Sequence, residues 1–323
     1  MSPSRPDTAL TLAGGWCWFE ELELLRRNKP AERIPWQDAP KAILENLTAK
    51  RTNIMGLSMD HPRVMGIVNV TPDSFSDGGA YAEVDGYVKA ARDMAAHGAD
   101  ILDIGGESTR PGAQEVAIEE EIIRVQPVIF GTYEVAPISI DTRKSEVAEA
   151  ALAAGATLIN DVSALTFDPK LASVVATAGV PVCLMHAQGA PENMQDNPQY
   201  EDVLLDVYDG LENAIQRAQD AGIKKRNIVI DPGIGFGKSL DHNLQLIRRI
   251  SIFHSLGVPV LLGASRKRFI GTITGESDAK QRLAGSLSVA LYGLSQGIQI
   301  TRVHDSKETA EAFQMAMKLC EQE

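Results

Sequence analysis

Cysteine is scarce in this chain. Three residues among 323, Cys17, Cys183 and Cys320, are too few and too scattered for a disulfide framework or a thiolate zinc site. They suit a reducing compartment, and the expected location is cytoplasmic. No apolar run approaches the roughly 20 residues of a membrane span, and no basic segment leads into an apolar one at the N-terminus, so a signal peptide is not expected. Positive charge is in deficit: 31 Lys and Arg stand against 43 Asp and Glu, giving a net charge of −12 and a pI near 5.1. That balance argues against nucleic acid or an anionic membrane as the main partner. An anionic substrate would need a local concentration of Arg and Lys. The motifs described below contain no Ser-His-Asp spacing, no cluster of zinc ligands and no cysteine nucleophile. What remains is ordinary for a soluble globular protein, with 44% hydrophobic and 23% charged residues. The length suits one large domain of α/β-barrel size or two smaller ones.

One stretch organises the rest, Ile228-Val-Ile-Asp231-Pro-Gly-Ile-Gly-Phe-Gly-Lys238. Ile228, Val229 and Ile230 are β-branched and do not alternate with polar residues, which suits a strand buried on both faces. The run ends at a carboxylate, then Pro232 and three glycines, and a helical pattern with Leu240, Leu244 and Ile247 on one face follows. A P-loop would need Gly at Pro232, and a dinucleotide fingerprint would need one more residue between Gly235 and Gly237. An ordinary βα turn presenting Asp231 fits better.

The same design recurs. Residues 1–52 differ from the rest: they hold all three tryptophans (Trp16, Trp18, Trp36) and a short amphipathic segment from Phe19 to Arg27. They are too short for a catalytic domain and are expected to pack on the main domain or on a second subunit. From residue 53 to 323, short apolar runs alternate with helical patterns. The runs are Val64–Val70, Ile101–Ile104, Pro137–Ile140, Thr157–Ile159, Pro181–Leu184, Ile228–Ile230, Val258–Leu262 and Ile298–Val303. Eight such units in one stretch predict an α/β fold, a (β/α)8 TIM barrel with an N-terminal extension. Active sites of such barrels lie at the C-terminal ends of the strands. Polar residues cluster there: Asn69, Asp103, Asp141, Asn160, Asp231, Lys267, Arg302 and His304. Helix capping explains any one of them but not the whole series.

These residues form two poles. Asp103, Asp141, Asn160 and Asp231 offer acceptors for a planar N–H donor of the guanidinium type. Arg110, Lys267, Arg302 and His304 suit phosphate or diphosphate oxygens. Asn69 with a solvated Mg2+ completes the anion site, because Mg2+ takes few protein oxygens beside phosphate. The pattern points to a heterocycle held by acceptors and a phosphorylated leaving group held by cations.

Val64-Met-Gly-Ile-Val-Asn69-Val-Thr-Pro-Asp-Ser-Phe-Ser-Asp-Gly-Gly79 and Asp103-Ile-Gly-Gly-Glu-Ser-Thr-Arg-Pro-Gly-Ala113 resemble the two signatures of the dihydropteroate synthase family. So do Asp231 to Lys238, Ser265-Arg-Lys267 and Arg302-Val-His-Asp305, in order and over most of the chain. The resemblance implies a cytosolic homodimeric (β/α)8 transferase of folate synthesis. It would join para-aminobenzoate to (7,8-dihydropterin-6-yl)methyl diphosphate with Mg2+, releasing diphosphate and 7,8-dihydropteroate, and sulfonamides would inhibit it competitively. It further implies pterin contacts from Asp103, Asp141, Asn160, Asp231 and Lys267, with Met185 packing on the ring. Diphosphate would fall to Asn69, Thr109, Arg110, Arg302 and His304, with Asn69 also near Mg2+. Para-aminobenzoate would meet Phe75, Thr109, Pro111, Phe236 and Lys267. Asp141, Lys267 and Arg110 would carry the catalysis, with Asp141 beside the positive charge that develops as diphosphate leaves.

Arg268 departs from the pattern, standing where many members carry Ser. Its charge either attracts the para-aminobenzoate carboxylate or points into solvent. Residues 1–52 lie outside the shared core. His186, Glu107 and Asp305 are expected to hold loops, and His61, His97, His242 and His254 to serve no chemistry. Three other readings compete. A methyltetrahydrofolate-binding methyltransferase needs no Arg302/His304 pole, and a non-catalytic pterin-binding homologue needs no intact Asn69, Arg110, Asp141 and Lys267. A sugar-phosphate barrel enzyme would lack the Asn160/Asp231 pair.

Overall fold

The computed structural model describes residues 5–71, 80–108, 114–189, 194 and 197–320. Eight parallel strands form the central barrel: β1 (Arg63–Asn69), β2 (Ile101–Gly105), β3 (Ile138–Asp141), β4 (Leu158–Asp161), β5 (Val182–Met185), β6 (Ile228–Asp231), β7 (Leu261–Leu262) and β8 (Ile300–Val303). Strands β1 to β6 pair in sequence, β8 pairs with both β1 and β7, and a bridge between Ile230 and Val260 closes the ring. Strands β2 to β7 are buried along their whole length. Their β-branched and aliphatic side chains face either the barrel interior or the surrounding helices, which explains the unbroken apolar runs.

The helices follow as the alternation predicts: α1 (Ala80–Ala96), α2 (Ile118–Phe130), α3 (Ser145–Ala154), α4 (Leu171–Ala178), α5 (Val203–Asp220) and α6 (Leu240–Arg248). After β7 there are two, α7 (Arg268–Thr274) and α8 (Leu283–Ser295), and α9 (Ser306–Cys320) ends the fold. The first of these has only seven residues, too few for helical periodicity to register in the sequence. Strand β7 is also shorter than its apolar run. Pro259 interrupts it, having no N–H to give to a ladder, though its carbonyl still accepts from Ile230 N at 3.0 Å. Among the described residues no helix is long and apolar enough to cross a membrane.

The N-terminal segment closes the end of the barrel opposite the site. Ile54 and Met59, both fully buried, join Met65, Ile101, Leu158, Cys183, Val229, Leu261 and Ile300 in one apolar cluster at the floor. Each such side chain contributes about 1.5–3 kcal/mol by leaving water. Upstream, the segment Glu21–Leu24 pairs antiparallel with Glu32–Pro35. Its exposed Glu21 and Glu23 alternate with half-buried Leu22 and Leu24, so its amphipathicity has the two-residue period of a strand. Trp16 packs beside Leu294 and Phe313 and donates to Leu294 O at 2.8 Å. Arg51 is buried and donates to His254 O at 2.8 Å and to Asn46 O at 2.8 Å. The tryptophans therefore belong to a layer that lies partly on the barrel.

Candidate active site

At the C-terminal mouth, strand register brings the expected acceptors together. Asp141 lies opposite both Gly105 and Asn160 in the ladder, and Asp231 lies opposite Met185. Asp103 sits deeper, two residues before the end of β2, and is fully buried. Its Oδ1 accepts from Ser139 Oγ at 2.6 Å, and its Oδ2 accepts from Asn160 Nδ2 at 3.2 Å and from Arg302 Nε at 2.5 Å. The same guanidinium donates through Nη2 to Asp141 Oδ2 at 2.7 Å. Arg302 thus bridges two carboxylates, joining the poles that the sequence separates. Burial works against its charge, but Asp103 and Asp141 hold its pKa above the ordinary range. The other Asp141 oxygen, Oδ1, is buried and has no hydrogen-bond partner among the described residues. Burial raises the Asp141 carboxyl well above the usual carboxylate range, against the pull of Arg302 and with help from the charge of Asp103.

The second half of the site is built on the loop after β6. Gly233, Gly235 and Gly237 all have positive φ, and a Cβ on Gly233 would lie 1.9 Å from His186 O. Only glycine lets this loop run so close to the one after β5. Asp231 Oδ1 accepts from Gly233 N at 2.7 Å. Burial raises its pKa, with Lys267 and that N–H acting in the opposite direction. Lys267, the residue just before α7, sends Nζ to Ile234 O and holds it 4.5 Å from the centre of the Phe236 ring. Burial lowers this ammonium to about 8, although Asp231 opposes the shift. Met185 and Phe236 also line a cavity of about 550 Å3 that runs along Val162 and Phe167 to α5.

The remaining expected residues occupy the rim. Asn69 is the exposed last residue of β1, and β1 neighbours β8, which leads to His304. Ser265 Oγ lies 3.1 Å from His304 Nδ1 and accepts from His304 N at 3.2 Å. Asp305 is ion-paired with Arg266, the loop-holding role expected for it. Arg268 is exposed at the start of α7. Phe75, Thr109, Arg110 and Pro111 lie outside the described residues.

Three groups carry no sequence motif of their own. Ser139 holds Asp103 and looks like any small residue in a strand. Lys144, buried, donates to Glu107 Oε2 at 2.7 Å, to Glu121 Oε2 at 2.8 Å and to Val116 O, while Val116 N donates to Glu107 at 2.8 Å. Glu107 is therefore a tether between the loop after β2 and the end of β3. Lys238 stands inside a motif that assigned it no task, and it too is buried. Their signal is a charged or polar residue next to a strand-end motif, which by itself gives no partner.

A family model described as "Pterin binding enzyme" matches residues 65–304. The dihydropteroate synthase of Escherichia coli K12 is 47% identical over 262 residues, covering 80% of this chain and 92% of that protein. Among solved structures, Xanthomonas albilineans dihydropteroate synthase with 4-aminobenzoic acid is 48% identical. It superposes with a TM-score of 0.78 and covers 83% of this chain and 97% of its own. Yersinia pestis dihydropteroate synthase in a sulfonamide drug complex gives 44% identity and a TM-score of 0.77, covering 81% and 96%.

Proposed function

The chain belongs to the dihydropteroate synthases, transferases of the pterin-binding family, and we propose from that premise how its own residues divide the reaction. It joins para-aminobenzoate to (7,8-dihydropterin-6-yl)methyl diphosphate, giving 7,8-dihydropteroate and diphosphate. Asp231 and Asn160 orient the pterin by hydrogen bonds, with Lys267 as a donor beside them and Met185 against the ring. Asp103 supports this arrangement from below, because Ser139, Asn160 and Arg302 already engage both its oxygens.

The observation that carries the reading is Asp141 at the mouth, its Oδ2 held by Arg302 and its buried Oδ1 without a partner among the described residues. An orphaned buried acceptor costs about 1–3 kcal/mol, and this one belongs to a strand-end carboxylate beside Asn160 in the ladder. It is suited to stabilise positive charge that develops on the substrate. The bond between the pterin methylene carbon and the diphosphate oxygen breaks, and the electron pair leaves with diphosphate. The electron-rich pterin delocalises the resulting carbocation, which Asp141 stabilises electrostatically. The amine of para-aminobenzoate then forms the new C–N bond and loses its proton to a diphosphate oxygen or to water. No strong base is required.

Mg2+ fits the rim. Among the described residues no group of three or more His, Cys, Asp or Glu side chains is placed to hold a metal. Asn69 offers one neutral oxygen at an exposed strand end, which suits an ion that fills its shell mainly with phosphate oxygens and water. Asn69 would hold it there beside the diphosphate, where its charge would favour departure of the anion. Arg302, His304, Thr109 and Arg110 complete the diphosphate site. Phe75, Thr109, Pro111, Phe236 and Lys267 form the para-aminobenzoate pocket, which a sulfonamide would enter in competition. Exposed Ile273, Leu291 and Tyr292 on α7 and α8 support assembly as a homodimer, and three free thiols suit a cytoplasmic location.

The test is to incubate the pure protein with both substrates and Mg2+ and to look for 7,8-dihydropteroate. Asp141→Asn should lower kcat about 100-fold or more, the scale of losing one electrostatic stabiliser. No product from the intact protein, or full activity in Asp141→Asn, would overturn the assignment.

A further inference from the structure

We infer that Lys238 is a positioning residue for the second substrate, acting through the loop that carries Phe236. This rests on the assignment of Phe236 to the para-aminobenzoate pocket. Lys238 is 3% exposed, and its ammonium has three donors to place. All three have acceptors: Phe236 O at 3.0 Å, His186 O at 3.2 Å and His186 Nδ1 at 3.1 Å. One side chain therefore ties the loop after β6 to the loop after β5. The imidazole takes part as an acceptor. Burial, with the charge of Lys238, lowers the His186 pKa to about 3, so the ring is neutral, accepts at Nδ1 and carries its proton on Nε2.

The tie is aimed at the pocket wall. Phe236 O is one of its anchors, and the Phe236 ring faces Lys267 Nζ. Lys267 in turn donates to Ile234 O in the same loop. Two further bonds hold the loop from outside, Tyr200 OH to Gly237 O at 2.9 Å and Gly235 N to Asn243 Oδ1 at 2.6 Å. The backbone has little other room, because Cβ atoms on Gly233 and Gly237 would strike His186 O and Gln188 O. Burial lowers the Lys238 ammonium to about 7, against the pull of Asp231. Desolvation of this size favours a residue that is neutral or smaller unless position matters. A methionine would fill the volume without tying the loops, which would leave Phe236 free to shift. Displacements near 1 Å in a reacting pair can cost about 100-fold. A wall one step removed from the chemistry should cost less.

The experiment compares the intact enzyme with Lys238→Met and Tyr200→Phe. Each protein is checked for melting temperature, for pterin binding by calorimetry, and for kcat and for KM of para-aminobenzoate at saturating pterin diphosphate. Lys238→Met should raise KM for para-aminobenzoate about tenfold, keep the pterin Kd within twofold and change kcat less than threefold. Tyr200→Phe, which loosens the same loop more mildly, should raise that KM two- to threefold. A merely structural lysine would lower melting temperature and weaken both substrates in parallel, and that result overturns the proposal. Unchanged KM in Lys238→Met overturns it as well. If that variant does not fold, unchanged KM in Tyr200→Phe does so instead. Failure of the intact enzyme to form dihydropteroate would refute the reaction itself and is read separately.

Discussion

Replacing Arg302 by Met should destabilise the protein in a way that depends on pH. The guanidinium lies 2.5 Å from Asp103 and 2.7 Å from Asp141, whose side chains are 0% and 7% exposed. At an effective dielectric near 20, each contact is worth about 4 kcal/mol before desolvation is counted. Removing one partner of a buried ion pair costs about 3–5 kcal/mol net, because an uncompensated charge remains. The deprived carboxylates can relieve that cost by taking up a proton. Asp141 already has a raised pKa, and without the cation it rises further. A carboxyl whose folded pKa exceeds its unfolded value binds more protons when folded, so stability falls as pH rises through the interval between the two. The intact protein binds that proton itself below about pH 7, so the two proteins diverge with pH only above that value, and the deficit of Arg302→Met should be larger at pH 8.5 than at pH 7. It should grow by about 1.4 kcal/mol per pH unit while the variant alone holds the proton. Urea unfolding of both proteins at these two pH values measures it. A deficit that does not change between them, or one below about 1 kcal/mol at pH 8.5, would refute the account of Arg302 as the compensating charge.

Arg268→Ser should raise KM for para-aminobenzoate two- to fivefold if the exposed guanidinium attracts the carboxylate, and unchanged KM assigns it to solvent. Deleting residues 1–52 removes Trp16 from its place beside Leu294 and Phe313 and the buried Arg51 from His254 O. The melting temperature should fall by several degrees or the oligomer should change, at about 2–4 °C per kcal/mol lost, and a truncated protein unchanged in both respects would contradict this. Substrate binding should be ordered, pterin diphosphate first. A sulfonamide titrated by calorimetry should bind weakly to the free enzyme and more tightly with Mg2+ and diphosphate, as linkage requires, and Arg302→Ala should lose the enhancement. Equal affinities with and without these ligands would mean the second pocket is already formed.

Periodicity alone determined the barrel. Eight apolar runs, each ending in a polar residue, report burial on both faces and a turn at one end, and both are local properties of the chain. The acceptors Asp141, Asn160 and Asp231 were legible for the same reason, since a carboxylate or amide ending an apolar run has little alternative to the barrel mouth. Pairing was not legible, because it depends on which strands become neighbours. Arg302 is 199 residues from Asp103 in sequence, yet meets it across the mouth. That Asp141 Oδ1 meets no donor among the described residues is likewise visible only in the folded chain. Lys144 and Lys238 look like surface lysines until the structure buries them and supplies three acceptors each. Pro259 was in plain view, but its consequence, a two-residue strand closed by a single bridge, required knowing that Ile230 would reach its carbonyl. Local chemistry decided which residues stand at the mouth; long-range packing decided which of them compensate one another and which are left for a substrate.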